Sequence, residues 1–306
     1  MEKTHCWWIN SLLNYILLEN KQNFVHLLFK KYKTMKRVIA FSTFSFLLFT
    51  MGCATNPLTG KSTLALVDNS SIFPSAFQQY DAFLKENKVL TGTVDAKRVE
   101  TVGIKIKDAA QKWLTAVGQP NYLKDYQWEY KLVEDKAVNA WCMPGGKIVV
   151  YTGILPITKD DAGLATVMGH EVAHALLNHG QQRMSAGMLQ QAGAVGLGAA
   201  TGNSSAETQQ IAMTAYGAGS QMFGMLPFSR NHESEADKIG LILMAIAGYN
   251  PEASIPFWQR MGAASGGQAP PEFMSTHPSH NTRVSNLTKW IPEAKAEAVK
   301  YGVTFK

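Results

Sequence analysis

Two histidines lie four residues apart, at His170 and His174, and Glu171 directly follows the first of them. Four residues advance an α-helix by about 400°, so both imidazoles project from one face, one turn apart. At that separation the two rings can bind the same zinc ion. Glu171 lies about 100° further round the helix, where its carboxylate can accept a proton from a water molecule beside the metal. The stretch therefore predicts a helix that carries a zinc site and a general base.

Capping residues on both sides support this helix. Thr158, with Asp161 three residues later, resembles a capping box, and Gly180 is typical of the residue that follows a helix. Between them, apolar residues recur at a spacing of three and four, which predicts a buried face. His179 would then lie nearly opposite His170 on the helical wheel, so it is not expected to bind the same metal.

A third ligand is predicted on a later helix, near residues 233–247. Glu233 and Asp237 are one turn apart, so one can bind the metal while the other accepts the N–H of a ligand histidine. Glu235 lies about 200° from Glu233, so only one of these two can face the zinc. Helical phase alone leaves that choice open, although Asp237 as a partner favours Glu233.

The remaining pattern predicts an α+β fold, mainly helical, with a small antiparallel sheet beside the metal-binding helix. Apolar spacing predicts further helices over residues 72–90, 94–117, 251–263, 279–290 and 293–300. Strands are predicted over residues 126–133 and 137–142, and at Ile148, Val149, Val150 and Tyr151. If the last of these is an edge strand, it can hold an extended peptide substrate by main-chain pairing.

Residues 186–225 are rich in Gly, Ala, Met and Gln. They are compatible with a membrane hairpin or with two close-packed helices. The apolar stretches are short and are interrupted by glutamines, which favours the close-packed pair.

The N-terminal region is typical of an exported protein. Residues 35–52 combine a short basic start, an apolar run and a small Gly52 just before Cys53, as in a bacterial lipoprotein signal. Cys53 would then carry the lipid, residues 53–71 would form a tether, and residues 72–306 the catalytic domain. An ordinary signal peptide or an anchor helix is the alternative. Because a complete signal begins at Met35, we expect Met35 to be the true start and residues 1–34 to be a wrongly assigned extension. A real upstream segment is the alternative, since residues 7–18 are rich in apolar side chains.

Charge argues against a nucleic-acid partner. The 306 residues carry a net charge of +6, but residues 1–52 hold seven basic and two acidic side chains, and therefore five of those charges. No basic stripe is left in the rest of the chain to follow a phosphate backbone.

Several short motifs together resemble those of the HtpX-like peptidase family, which also includes the CAAX prenyl proteases. They are Asn139–Ala140, Pro144–Gly145–Gly146, the His-Glu-x-x-His helix, Glu233-x-x-Ala236–Asp237, and Thr276–His277–Pro278 with Arg283. The resemblance runs from about Asn56 to the C-terminus. It implies a gluzincin fold with one zinc ion per chain. Among the family, the chain looks closest to the short periplasmic lipoproteins that act in envelope quality control.

The resemblance also implies roles for individual residues. His170, His174 and Glu233 would hold the zinc, Glu171 would be the general base, and Asp237 would support a ligand. His277 would stabilise the oxyanion or cap the zinc in a latent state, although it could simply anchor a helix start. Arg230 would support the site or pair locally.

The expected function is zinc-dependent hydrolysis of misfolded or misassembled envelope proteins, at the periplasmic side of the outer membrane. A non-proteolytic chaperone or scaffold, and a zinc amide hydrolase acting on peptidoglycan, are the alternatives. The oligomeric state stays open.

Overall fold

The structure, a computed structural model, describes residues 53–264, 273, 277 and 282–305. The predicted N-terminal extension, the signal segment, and Thr276 and Pro278 of the motif set lie outside these residues. Helices dominate, and a four-stranded sheet lies beside them, which confirms the predicted α+β class. Residues 54–71, predicted to be a tether, belong to the same compact unit as the remainder of the described chain.

The helices are α1 (Asn69–Glu86), α2 (Val94–Ala116), α3 (Leu155–Thr158), α4 (Asp161–Leu176), α5 (His179–Thr201), α6 (Ala206–Ser220), α7 (Leu226–Ile246), α8 (Ser254–Ala263) and α9 (Arg283–Val299). The strands are β1 (Cys53–Thr55), β2 (Ser62–Leu64), β3 (Val89–Leu90), β4 (Glu129–Val133), β5 (Ala140–Met143) and β6 (Lys147–Tyr151). Single turns of 3₁₀-helix occupy Thr152–Ile154 and Pro251–Ala253, and a π-helical turn occupies Gln221–Met225. The two helices predicted near the C-terminus are one, since α9 continues through Pro292.

The four-stranded sheet has the order β3-β4-β6-β5 and is mixed rather than antiparallel. β6 pairs parallel with β4 and antiparallel with β5. The expectation that Ile148, Val149, Val150 and Tyr151 form an edge strand is therefore wrong, because β6 has a neighbour on each side and all its residues are buried. An unbroken apolar run is typical of a strand buried on both faces. Within the described residues, β3 and β5 are the two edge strands of this sheet.

A turn at Gly145 and Gly146 places β6 in this central position. Both glycines have positive φ angles, 88° and 92°, which residues with a side chain rarely adopt. A Cβ atom on Gly146 would lie 2.8 Å from the Trp128 ring. The turn therefore needs glycine for its backbone and for its close packing, and it returns β6 between β5 and β4.

α4 is the central helix of the core, and Gly163–Leu176 are all buried along it. Its N-cap is Asp160, whose Oδ1 accepts a hydrogen bond from the Gly163 N–H at 2.8 Å, so the helix begins two residues after the predicted cap Thr158. α4 packs against α7 at a glycine contact, where a Cβ on Gly240 would lie 2.7 Å from the His170 nitrogen. This close approach brings the functional faces of the two helices together.

α5 and α6 form the predicted pair of close-packed helices. The Tyr216 hydroxyl donates to the Gln190 carbonyl oxygen at 2.8 Å, and the Gln190 side chain donates to the Ser220 hydroxyl at 2.7 Å. Across the described residues, we find no helix with the length and apolar character that a membrane crossing requires.

Candidate metal centre

Four buried side chains converge where α4 meets α7. His170 and His174 come from α4, Glu233 comes from α7, and His277 comes from the chain before α9. One nitrogen or oxygen atom from each lies within 4.8 Å of all the others. In the part of the chain that the structure describes, no other group of three or more His, Cys, Asp or Glu residues has this arrangement.

The spacing of these atoms fits a tetrahedral zinc ion. Ligands about 2.0–2.1 Å from such an ion lie roughly 3.3 Å from one another. The two Nε2 atoms of His170 and His174 are 3.0 Å apart, and each lies 3.3 Å from a carboxylate oxygen of Glu233. His277 Nδ1 is 3.2 Å from His170 Nε2. The donor set of imidazoles and one carboxylate is also the one that zinc prefers.

The structure resolves the choice between the two glutamates that helical phase left open. Glu233 enters the metal group, and Glu235 turns toward His179 instead. Burial opposes ionisation of Glu233, but hydrogen bonds with His170, His174 and His277 hold its pKa well below the usual range.

The ring of His170 is held from behind by a carboxylate. Asp237 Oδ1 accepts from His170 Nδ1 at 3.0 Å. Burial alone would lower the pKa of His170, but hydrogen bonds to Asp237 and Glu233 outweigh it and raise that pKa to about 10. Without metal, the cluster therefore keeps a proton on His170, and a bound cation would replace this positive charge.

An arginine other than the expected one supports this side. Arg283 donates through Nε to Asp237 Oδ2 at 2.6 Å and through Nη2 to Glu233 Oε2 at 3.1 Å. Its guanidinium also lies 4.0 Å from the centre of the Trp258 ring. Arg230, which was expected to support the site or to pair locally, is exposed, and its role stays a prediction. In the sequence, a role for Arg283 was indicated only by its place in the motif set that resembles the HtpX-like family.

The ring of His174 has a histidine behind it. His179 Nδ1 lies 2.8 Å from His174 Nδ1, and His179 Nε2 lies 3.4 Å from Glu235 Oε2. Sequence reasoning missed this contact because it assumed one helix up to Gly180. α4 ends at Leu176, and Asn178, in the left-handed region at φ 56°, turns the chain so that His179 begins α5.

Glu171 lies at the edge of the metal group and is buried. Its Oε1 is 3.4 Å from His277 Nε2 and makes no hydrogen bond within the described residues. Burial raises the pKa of Glu171, while the charges of His277 and His170 oppose that rise. A carboxylate with a raised pKa beside a metal is suited to accepting and returning a proton.

Comparison with known proteins places this geometry in a family. The pattern of peptidase family M48 matches residues 105–291. Mitochondrial metalloendopeptidase OMA1 of Schizosaccharomyces pombe is 38% identical over 178 residues, which cover 57% of this chain and 50% of that protein. Human mitochondrial metalloendopeptidase OMA1 is 31% identical over 248 residues, covering 78% of this chain and 46% of that protein. The beta-barrel assembly-enhancing protease of Escherichia coli is 28% identical over 166 residues, covering 52% of this chain and 33% of that protein.

The chain spans about half the length of the first OMA1 relatives that it matches. The matched region contains α4, α7 and His277, and therefore all four side chains of the metal group. The predicted zinc ion is confirmed by the family and by a donor set that fits it. The chain belongs to peptidase family M48, whose members are zinc metallopeptidases.

Proposed function

We propose that this protein is a zinc-dependent endopeptidase in which Glu171 is the general base. The observation that carries the proposal is the position of Glu171. Its carboxylate is buried, has a raised pKa and lies beside three side chains that suit a zinc ion. A purely structural zinc site has no use for such a base.

When zinc is bound, it polarises a carbonyl group and lowers the pKa of a water molecule. His170, His174 and Glu233 would hold the ion, and Asp237 with Arg283 would keep His170 and Glu233 in position. Glu171 would take a proton from the attacking water and deliver it to the departing amine nitrogen.

His277 would act as a cap over the metal group. Its Nδ1 lies 3.2 Å from both oxygens of Glu233 and 3.2 Å from His170 Nε2, as a fourth ligand would. The open position that a catalytic zinc site needs is then closed until His277 moves away. We expect His277→Ala to raise basal proteolysis while zinc stays bound. Equal turnover of several substrates by the variant and the parent protein would argue against the cap.

The substrate would add to β5 as an extended strand. β5 is one of the two edge strands of the sheet within the described residues, and its Cys142 amide donates to the Glu171 carboxylate. A cleft beside it is lined by Cys142, Pro144 and His174 among others. Main-chain pairing at this edge would bring the scissile bond beside the base and would make few demands on substrate side chains.

The cell envelope is the proposed place of action. The signal-like residues 35–52 and the exposed Cys53 support a lipid anchor on the periplasmic side of the outer membrane. The name of the Escherichia coli relative connects a protein of this family with assembly of beta-barrels. Misfolded or misassembled envelope proteins are therefore the proposed substrates, although the OMA1 relatives are mitochondrial.

The activity is tested with casein and purified protein, in the presence and absence of a chelator. We expect cleavage that stops with the chelator and with Glu171→Gln, and that persists in Glu207→Gln, a matched change of an exposed glutamate on α6. Cleavage that survives both chelation and Glu171→Gln would defeat the mechanism. Release of muropeptides without cleavage of casein would favour the peptidoglycan hydrolase, and no hydrolysis at all would favour the scaffold.

The anchor is tested by the intact mass of protein purified from membranes. We expect an N-terminus at Cys53 with a mass increase of a lipid, and release of Cys53→Ser from the membrane fraction. A mature chain with an unmodified residue 53 would rule out the anchor.

A further inference from the structure

His179 lies directly behind a zinc ligand, outside the metal group itself. Its Nδ1 is 2.8 Å from Nδ1 of His174. On the other side of the same ring, Nε2 lies 3.4 Å from Glu235 Oε2. His179 is fully buried. The chain Glu235, His179, His174 therefore runs from the rim of the molecule to the metal group.

The direction of the hydrogen bonds in this chain follows from the metal group. His174 Nε2 faces His170 and Glu233, so it must have a lone pair for the ion. The proton of His174 is then on Nδ1, which donates to His179 Nδ1. His179 in turn carries its proton on Nε2, where the Glu235 carboxylate accepts it. Only one tautomer of each ring satisfies all these contacts.

The His179 ring is also held in place by packing. His179 is the first residue of α5, directly after the left-handed Asn178. The side chain of Asn178 accepts from Asn69 at 3.0 Å and donates to the Tyr122 hydroxyl at 2.9 Å, which fixes this turn. The ring of His232 stacks on His179, with centroids 4.0 Å apart and 9° between the planes. A rotation of the His179 ring would break this stack as well as the hydrogen bonds.

The outer end of the chain belongs to the N-terminal part of the described residues. Lys61, just before β2, forms a salt bridge with Glu235 Oε1. Nearby, the buried Asn56 donates to the Leu176 carbonyl oxygen, at the end of α4, at 3.0 Å. The segment that leads from Cys53 therefore contacts both helices of the metal group, α4 through Asn56 and α7 through Lys61.

We propose that His179 is a positioning residue that fixes the tautomer and the orientation of the zinc ligand His174, and that Glu235, held by Lys61, orients His179. The inference rests on the proposed zinc site. It assigns the third histidine of the stretch His170–His179 a role that depends on its hydrogen bonds rather than on binding the metal.

The test measures zinc affinity rather than proteolysis, by competition with a chromophoric chelator. His179→Phe keeps the ring and its stack but removes the acceptor. His179→Asn places an amide oxygen near the position of Nδ1 and can still accept from His174. Since loss of a group that supports a metal ligand typically weakens binding about 10- to 100-fold, we expect that loss for His179→Phe and a clearly smaller one for His179→Asn.

Two further measurements separate this role from simple packing. Thermal unfolding in chelator shows whether each metal-free variant is folded. The visible absorption bands of Co²⁺ in the site report on its ligand field, and we expect them to shift in His179→Phe. The surface control is Lys238→Met, because Lys238 lies on α7, the helix of Glu235. This substitution breaks the 2.9 Å salt bridge between Lys238 and Glu293 of α9. We expect it to leave both zinc affinity and the Co²⁺ bands unchanged.

Each outcome decides the question. A folded His179→Phe that binds zinc as tightly as the parent protein, or an equal loss in His179→Phe and His179→Asn, overturns the proposal. If His179→Phe does not fold, Glu235→Met, which removes the acceptor of His179 Nε2, replaces it, and unchanged Co²⁺ bands in that variant overturn the proposal. Failure of the parent protein to bind zinc would refute the proposed function instead, so the two failures are distinguishable.

Discussion

Two histidines of the metal group share one helix, but their outer nitrogens meet different partners. His170 is backed by the carboxylate of Asp237, which also accepts a hydrogen bond from the buried Arg283. His174 is backed by the imidazole of His179, and the carboxylate of Glu235 comes only after it. The Asp237 side chain is 6% exposed and that of Glu235 is 21% exposed.

The difference shows how burial determines where a charge can be placed. Close to His170, a carboxylate is tolerated because a buried guanidinium compensates it. Behind His174, the partner in contact is a neutral ring. The nearest carboxylate on this side, that of Glu235, lies beyond the His179 ring, where Lys61 and solvent reach it. On the side of His170, the closed side, the ion pair of Asp237 with Arg283 holds the imidazole in one tautomer. On the side of His174, the open side, a relay of His179 and Glu235 does the same.

The comparison predicts the largest loss of stability on the closed side. Arg283→Met would leave two buried carboxylates, Glu233 and Asp237, without their shared cation. Breaking such a pair costs about 3–5 kcal/mol. We expect this decrease in the free energy of unfolding, measured by urea denaturation in the presence of chelator. Lys238→Met is the control, since its exposed ion pair is worth about 0–1 kcal/mol. An equal effect of the two substitutions would contradict the comparison.

We expect zinc affinity to fall when the hydrogen-bond partner of either His170 or His174 is removed. Asp237→Ala removes the acceptor of His170 Nδ1 and should weaken zinc binding about 10- to 100-fold. Chelator competition would measure it beside His179→Phe. Similar losses would mean that a carboxylate and an imidazole support a ligand equally well. Retention of full affinity by Asp237→Ala would mean that Arg283 and packing alone position His170.

The local parts of this site were predictable because helical geometry fixes them wherever the helix packs. His170 and His174, and Glu233 with Asp237, each need only the spacing of four residues. The pairing of Glu233 and Asp237 with an arginine far away in the sequence could not be predicted from helical spacing. Apart from the motif set that contains Arg283, nothing in the sequence separates Arg283 from Arg230, and the packing of α9 against α7 brings Arg283 to Glu233.

Two differences between the predicted and the observed structure have a signal in the sequence. Asn178 tolerates the left-handed conformation and so can end a helix, which is what brings His179 to His174. The run Ile148–Tyr151 lacks the alternation of an edge strand that faces solvent, and it is buried in the middle of the sheet. The order of the strands, by contrast, depends on how the turn at Gly145 and Gly146 packs against Phe77 and Trp128.

The relay predicts a pH dependence on the open side. The hydrogen bond with His179 and the charge of Lys61 lower the pKa of Glu235 to about 2, although burial opposes this, from 4.5 in the unfolded chain. The stabilisation is therefore fully present above the unfolded pKa and is lost as the pH falls towards 2. Glu235→Gln should cost roughly 1–2 kcal/mol near pH 6 and clearly less near pH 3. Urea denaturation with chelator would measure both, and a difference that grows towards acid would contradict the assignment.

The smallest effect is expected at the outermost residue. Lys61 has a side chain that is 63% exposed, and an exposed ion pair contributes about 0–1 kcal/mol. Lys61→Met should therefore change the free energy of unfolding little, and raising the salt concentration should remove the difference because the charges are screened. Its zinc affinity should stay close to that of the parent protein, since Glu235 can still accept from His179 without the lysine. If Lys61→Met instead weakened zinc binding as much as His179→Phe, the orientation of His174 would depend on the N-terminal segment, and the open side would link that segment to the metal.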